Sequence, residues 1–140
     1  MDTKILKTVN GLDLIIKNKK NTIILKINKL QDNKKYKNSF KFEKETFVEL
    51  LKYIEKISNE TWMNLYIREA TSMASDYNEY YDSELDSEGS LEIYHNMLFI
   101  ERPSLESTRI YKFNKRKMES FIYDLRKNIE KNNKKENDCI

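Results

Sequence analysis

A strand followed by an amphipathic helix occurs twice in this chain, 71 residues apart. Phe40-Lys41-Phe42 recurs as Tyr111-Lys112-Phe113, and Phe47, Leu50, Leu51 and Ile54 recur as Met118, Phe121, Ile122 and Leu125. Alternation at period two predicts the strands, and apolar residues at i, i+3, i+4 and i+7 predict the helices. Upstream, Leu12-Asp13-Leu14 resembles Leu91-Glu92-Ile93. Two hairpin–strand–helix units predict one antiparallel sheet with helices packed on it. The fold class is therefore α+β, with six or seven strands and two or three helices.

The units span residues 4–58 and 89–129, joined by residues 59–88. At 140 residues the expected count is one domain, 1–129, followed by a charged, frayed tail over 130–140. In the first unit, strands are expected at 4–9, 12–17, 22–30 and 39–43, the first pair turning at Asn10-Gly11, a type I′ loop. A helix runs from about Lys44. Trp62, Leu65, Tyr66, Ala70, Met73 and Tyr77 continue at helical spacing, so 60–77 reads as a second helix, with a strand at 62–69 as the alternative. A hairpin at 91–94 and 97–102 turns at His95-Asn96, a strand follows at 108–113, and the last helix covers 115–128.

Charge is segregated along the chain. Residues 1–42 carry net +8, residues 43–108 net −10 and residues 109–140 net +5. Such separation makes a field that steers charged partners. It also separates two candidate binding surfaces. The first is 76–88, with six carboxylates, three tyrosines and no basic residue. Asp76, Glu79, Tyr80, Asp82, Glu84 and Asp86 form its expected partner-binding face. Carboxylates can occupy the lysines and arginines that a partner uses for phosphates, and tyrosines add rigid contact area. The tyrosines also extend the stripe that starts at Trp62, which would bury some of them. The second surface is the basic stretch from Lys17 to Lys41. There Lys17, Lys19, Lys20, Lys26, Lys29, Lys34, Lys35, Lys37 and Lys41 would meet phosphates, and Tyr36 and Phe40 would offer stacking surfaces for bases. That stretch contains no arginine, the residue suited to forked phosphate contacts.

Catalytic chemistry finds few of its parts. His95 is the single histidine and sits in an expected turn, with no nucleophile elbow nearby. One cysteine and one histidine do not make a zinc site, and two glycines do not make a phosphate-cradling loop. Asp82, Glu84, Asp86, Glu88 and Gly89 approach a calcium loop. With Glu84 first and Gly89 sixth, however, the twelfth position is His95 instead of glutamate. Asp86, Glu92 and Glu101 could converge as nuclease carboxylates, but their spacing is not diagnostic. The expectation is a binding protein without cofactor or metal. A lone Cys139, no apolar run of membrane length and a polar N-terminus point to the cytoplasm.

The order of three strands and a helix, then Trp62 and the acidic tyrosine run 76–82, resembles small phage-encoded anti-CRISPR proteins over residues 12–88. That resemblance implies an inhibitor whose acidic, aromatic surface mimics DNA against a CRISPR nuclease or another basic nucleic-acid-binding protein. The duplicated strands-then-helix pattern is similar to Whirly and Pur-alpha type binders of single-stranded nucleic acid. Their units have four strands before each helix. That resemblance implies single-stranded DNA or RNA as partner, held by the basic N-terminal sheet.

Overall fold

The computed structural model describes residues 3–138, and the side chains of residues up to 133. Cys139 lies outside the described residues. The chain forms β1 (Thr3–Lys7), β2 (Asp13–Lys19), β3 (Thr22–Ile27), β4 (Lys37–Lys41) and α1 (Lys44–Thr61), then β5 (Glu79–Asp82), β6 (Ser87–Tyr94), β7 (Met97–Glu101), β8 (Arg109–Phe113) and α2 (Lys115–Asp138). The class is α+β, with eight strands and two helices. Each unit is four strands and a helix. The strand that the second unit lacked in the sequence reading is β5, drawn from the acidic tyrosine segment.

The eight strands make two antiparallel sheets, where the sequence predicts one. Their orders are β1-β2-β3-β8 and β4-β7-β6-β5, so each unit gives its fourth strand to the other's sheet. The exchange brings two connections together, residues 28–36 between β3 and β4 and residues 102–108 between β7 and β8. Arg102, fully buried, donates from Nη2 to Asp32 Oδ1 at 2.8 Å and from Nη1 to Asp32 Oδ2 at 3.1 Å. Its backbone N–H donates to Tyr36 O, and that of Ile27 to Thr108 O, both at 2.9 Å. The hydrogen bonds from Arg102 are the main reason that the Asp32 carboxyl is pushed down to about 2.

Inward side chains of both sheets meet the apolar stripes of α1 and α2 in one core. Repeated residues lie in it: Phe40, Tyr111 and Phe113 from the strands, Phe42 just after β4, and Phe47, Leu50, Ile54, Met118, Phe121, Ile122 and Leu125 from the helices. Helix α1 lies against β1–β3 and α2 against β6. Helix α2 continues to Asp138, ten residues beyond its expected end at 128.

Two local expectations change for identifiable reasons. The β1–β2 loop has five residues, 8–12, because Lys7 pairs with Asp13. Asn10 is not spent on a tight turn. Its side chain donates from Nδ2 to Ser39 O at 2.7 Å and accepts from Lys41 N at 3.3 Å, tying the loop to β4. Residues 60–77 are not a second helix, nor is 62–69 a strand: Glu60 and Thr61 close α1, and Met73–Ser75 makes one short 3-10 turn. Trp62 is extended and Asn64 has φ of 56°, which ends helical propagation. The segment is instead strapped along α2. Glu119 accepts from Tyr66 N at 2.7 Å, Arg116 donates to Glu69 O at 2.6 Å and Ser120 Oγ donates to Ser75 O at 2.8 Å. These bonds satisfy the extended backbone that a helix would have satisfied internally. Among the described residues no helix is long and apolar enough to cross a membrane.

Candidate functional site

Each sheet covers the core with one face and leaves the other open. Alternation and register assign the open face of the first sheet. Its rows across the strands are Ile5–Ile15–Lys26–Arg109 and Thr3–Lys17–Ile24–Lys112, with Lys19 opposite Thr22 and Lys7 opposite Asp13. Ile24 is only 5% exposed yet stands outside the core cluster. Its cross-strand neighbours Lys17 and Lys112 flank it, so their aliphatic stems cover it while the ammonium groups stay at the surface. Lys17, Lys19 and Lys26 make no ion pair among the described residues. Burial, then repulsion from Lys17 and Lys19, lowers the Lys26 ammonium below the ordinary lysine range. Lysines this close without a counter-charge are an arrangement that an anion relieves.

The second sheet offers the opposite. Its outward rows are Tyr81–Glu88, Glu79–Ser90–Glu101–Lys37, Glu92–Phe99–Ser39 and Tyr94–Met97–Lys41. Four carboxylates and three aromatic rings thus stand on one open face, with two lysines along the β4 edge. Serines at 39 and 90 leave a recess of about 410 Å³, bounded by Lys37, Glu92, Phe99 and Glu101.

The two sheets join where β5 meets β8. Tyr80 stacks on Tyr111 with ring centroids 4.5 Å apart, and its hydroxyl donates to Asp82 Oδ2 at 2.6 Å. Arg109 donates to the same Asp82 oxygen at 2.6 Å and to Glu84 Oε2 at 3.1 Å, and Lys112 lies 3.8 Å from Glu84. Burial works to raise the Asp82 carboxyl, but the hydrogen bonds from Tyr80 and Arg109 outweigh it and hold the group below its ordinary value. Burial and Asp82 together push the Tyr80 hydroxyl well up.

The six residues expected to form an acidic partner-binding face are therefore dispersed. Tyr80 and Asp82 point inward and are buried. Glu84 is exposed but paired with Arg109 and Lys112. Asp86, with φ of 46°, sits in the β5–β6 turn and accepts from the Tyr81 hydroxyl. Asp76 accepts from Asn78 N at 2.8 Å ahead of β5. Glu79 alone lies on the open face. The basic set also divides. Lys17, Lys19 and Lys20 belong to β2 and its turn into β3, whereas Lys34, Lys35, Tyr36 and Lys37 lead into β4 of the other sheet. Tyr36 is exposed, but it is not beside Lys17 in either sheet.

Sequence reasoning missed Lys7, Arg109 and Lys112 on the first sheet. The last two arrive through the exchanged strand, a long-range event with no local signal. It also left Tyr81, Glu88 and Tyr94 out of the acidic face. Period-two alternation through Glu88, Ser90, Glu92 and Tyr94 was the available signal. His95, with φ of 53°, stays in an exposed turn against Tyr94. No group of three or more His, Cys, Asp or Glu among the described residues is arranged to hold a metal ion. No family model, no curated protein and no solved structure matches this chain.

Proposed function

We propose that this chain is a non-enzymatic binding protein that holds single-stranded DNA or RNA along the open face of its first sheet. The observation that carries this reading is the cluster of Lys17, Lys19 and Lys26 on one solvent-facing sheet surface, extended at its two edges by Lys7, opposite Asp13, and by Lys112, beside Glu84. The Lys26 ammonium, lowered first by burial and then by Lys17 and Lys19, supports it, because a phosphate would offset the repulsion among the three. So does the layout of two four-strand-and-helix units, which agrees with what the resemblance to Whirly and Pur-alpha type binders implies. Ile5 and Ile15 offer apolar contact between the lysines for base or sugar edges. Among the described residues no aromatic ring stands on this face, so contacts to phosphate outweigh base stacking and binding tolerates sequence. The inhibitor reading has less support, since Tyr80, Asp82 and Glu84 are engaged inside the fold.

The test is a salt titration of affinity for a fluorescent thymidine oligonucleotide. Four or five phosphates neutralised on a single strand give a log–log slope of about −3. Lys17→Glu with Lys26→Glu lowers affinity at least tenfold and flattens that slope. No measurable binding at low salt, or binding that ignores both substitutions, refutes the proposal.

A further inference from the structure

The molecule carries two open sheet faces of similar outline and opposite sign, and on the acidic one Lys37 and Lys41 meet the carboxylates only along the β4 edge. Its chemistry indicates what it accepts. Phe99 provides apolar floor, Ser39 and Ser90 leave depth, and Glu92 and Glu101 stand at the walls of the recess, with Lys37 at its β4 side. A lysine side chain matches such a recess, with its stem on the ring and its ammonium between carboxylates. Lys17 and Lys26 on the first sheet are such side chains, diagonal neighbours flanked by Ile15 and Ile24.

We infer that the acidic face of the second sheet docks the basic face of the first sheet of another copy. The contact is heterologous, so it repeats head to tail and builds short chains, or a ring where the rotation closes. Strand spacing and rise give each face roughly 300 Å², about 600 Å² for the pair. Stable interfaces bury more than about 1,000 Å² in total. The association is therefore weak, concentration-dependent and dominated by charge. It also occupies the lysines that the proposed function assigns to nucleic acid, so oligonucleotide and second copy exclude one another. The release by oligonucleotide rests on that reading, but the self-association does not.

Sedimentation velocity of the full chain, without nucleic acid, tests it. The expected result is a weight-average sedimentation coefficient that rises with concentration up to a few hundred micromolar at low salt and returns to the monomer value at high salt. Glu88→Lys with Glu92→Lys should abolish the rise, as should Lys17→Glu with Lys26→Glu. Mixing these two variants should restore association, because one keeps a basic first face and the other an acidic second face. Far-UV circular dichroism confirms that both are folded. A wild-type chain that stays monomeric at every concentration overturns the inference, as does association that salt leaves unchanged or that survives both charge reversals. Adding a thymidine oligonucleotide to the wild type then separates the two ideas. Chains that form but do not bind oligonucleotide remove the proposed function and leave the docking intact. Oligonucleotide binding by a strict monomer does the reverse.

Discussion

The two sheets are built from equivalent strands, yet they agree on the inside and disagree on the outside. Inward, Phe40 matches Tyr111 and Phe42 matches Phe113, and three of the four helix pairs behind them lie in one core, Leu51 alone packing at its margin where Ile122 is buried. Outward, β2 and β3 of the first sheet show Lys17, Lys19 and Lys26 where their counterparts β6 and β7 show Glu88, Glu92 and Glu101, while the exchanged strands keep one sign, Lys112 matching Lys41. Inward positions are bound by close packing, where a change of one methylene is felt. Outward positions only have to tolerate water, so two copies of one architecture are free to take opposite charge. A duplicated fold can thus present two different binding surfaces without changing its frame.

The largest effect comes from breaking the frame where the units cross. Arg102→Ala leaves the nearly buried Asp32 carboxylate with Lys34 as its remaining partner, its ammonium 3.6 Å and its backbone N–H 2.9 Å away, and should cost about 3 kcal/mol in urea unfolding. Replacing both partners with apolar residues, Arg102→Met with Asp32→Leu, should recover most of that loss. Acid should weaken the same clamp. The Asp32 carboxyl is lowered in the folded state, so its contribution is present above pH ~4 and is lost as the pH falls toward its folded value of about 2. Arg102→Met/Asp32→Leu should lack that part of the acid transition.

Gly89 gives a smaller effect, confined to the second sheet. A Cβ there would sit 2.4 Å from the Glu101 carbonyl oxygen and 3.3 Å from Pro103, and backbone cannot yield as a side-chain tip does. Gly89→Ala should cost roughly 1–3 kcal/mol by overpacking, read as a lower thermal midpoint. The smallest effect falls on the outward charges. Glu88→Lys with Glu92→Lys should change stability by no more than about 0.5 kcal/mol per site. A larger loss would mean that the acidic face serves the fold and not a partner.

Much of the frame was legible in the sequence. The echo 71 residues apart identified β4, β8 and both helices, because period two and period 3.6 are local signals. The His95-Asn96 hairpin was equally local. What was hidden depends on distant pairing. Nothing near Arg109 or Lys112 announces that β8 crosses to β3. Nothing near Asn10 announces that its amide serves β4. The acidic segment misled for a related reason. Its composition was correct, but β5 sends alternate residues inward, so Tyr80 and Asp82 became part of the junction while Tyr81 and Glu79 faced out. The apparent helix over 60–77 came from a spacing of apolar residues that the extended strap along α2 happens to share.

The most direct measurement is a backbone-amide and lysine side-chain NMR titration with a thymidine oligonucleotide at low salt. The account predicts shift changes concentrated on β1–β3 and β8, with the Lys26 ammonium moving back toward the ordinary lysine range, and little change on β5–β7. Changes concentrated on Tyr81, Glu88, Glu92 and Phe99, or no change anywhere, would contradict it.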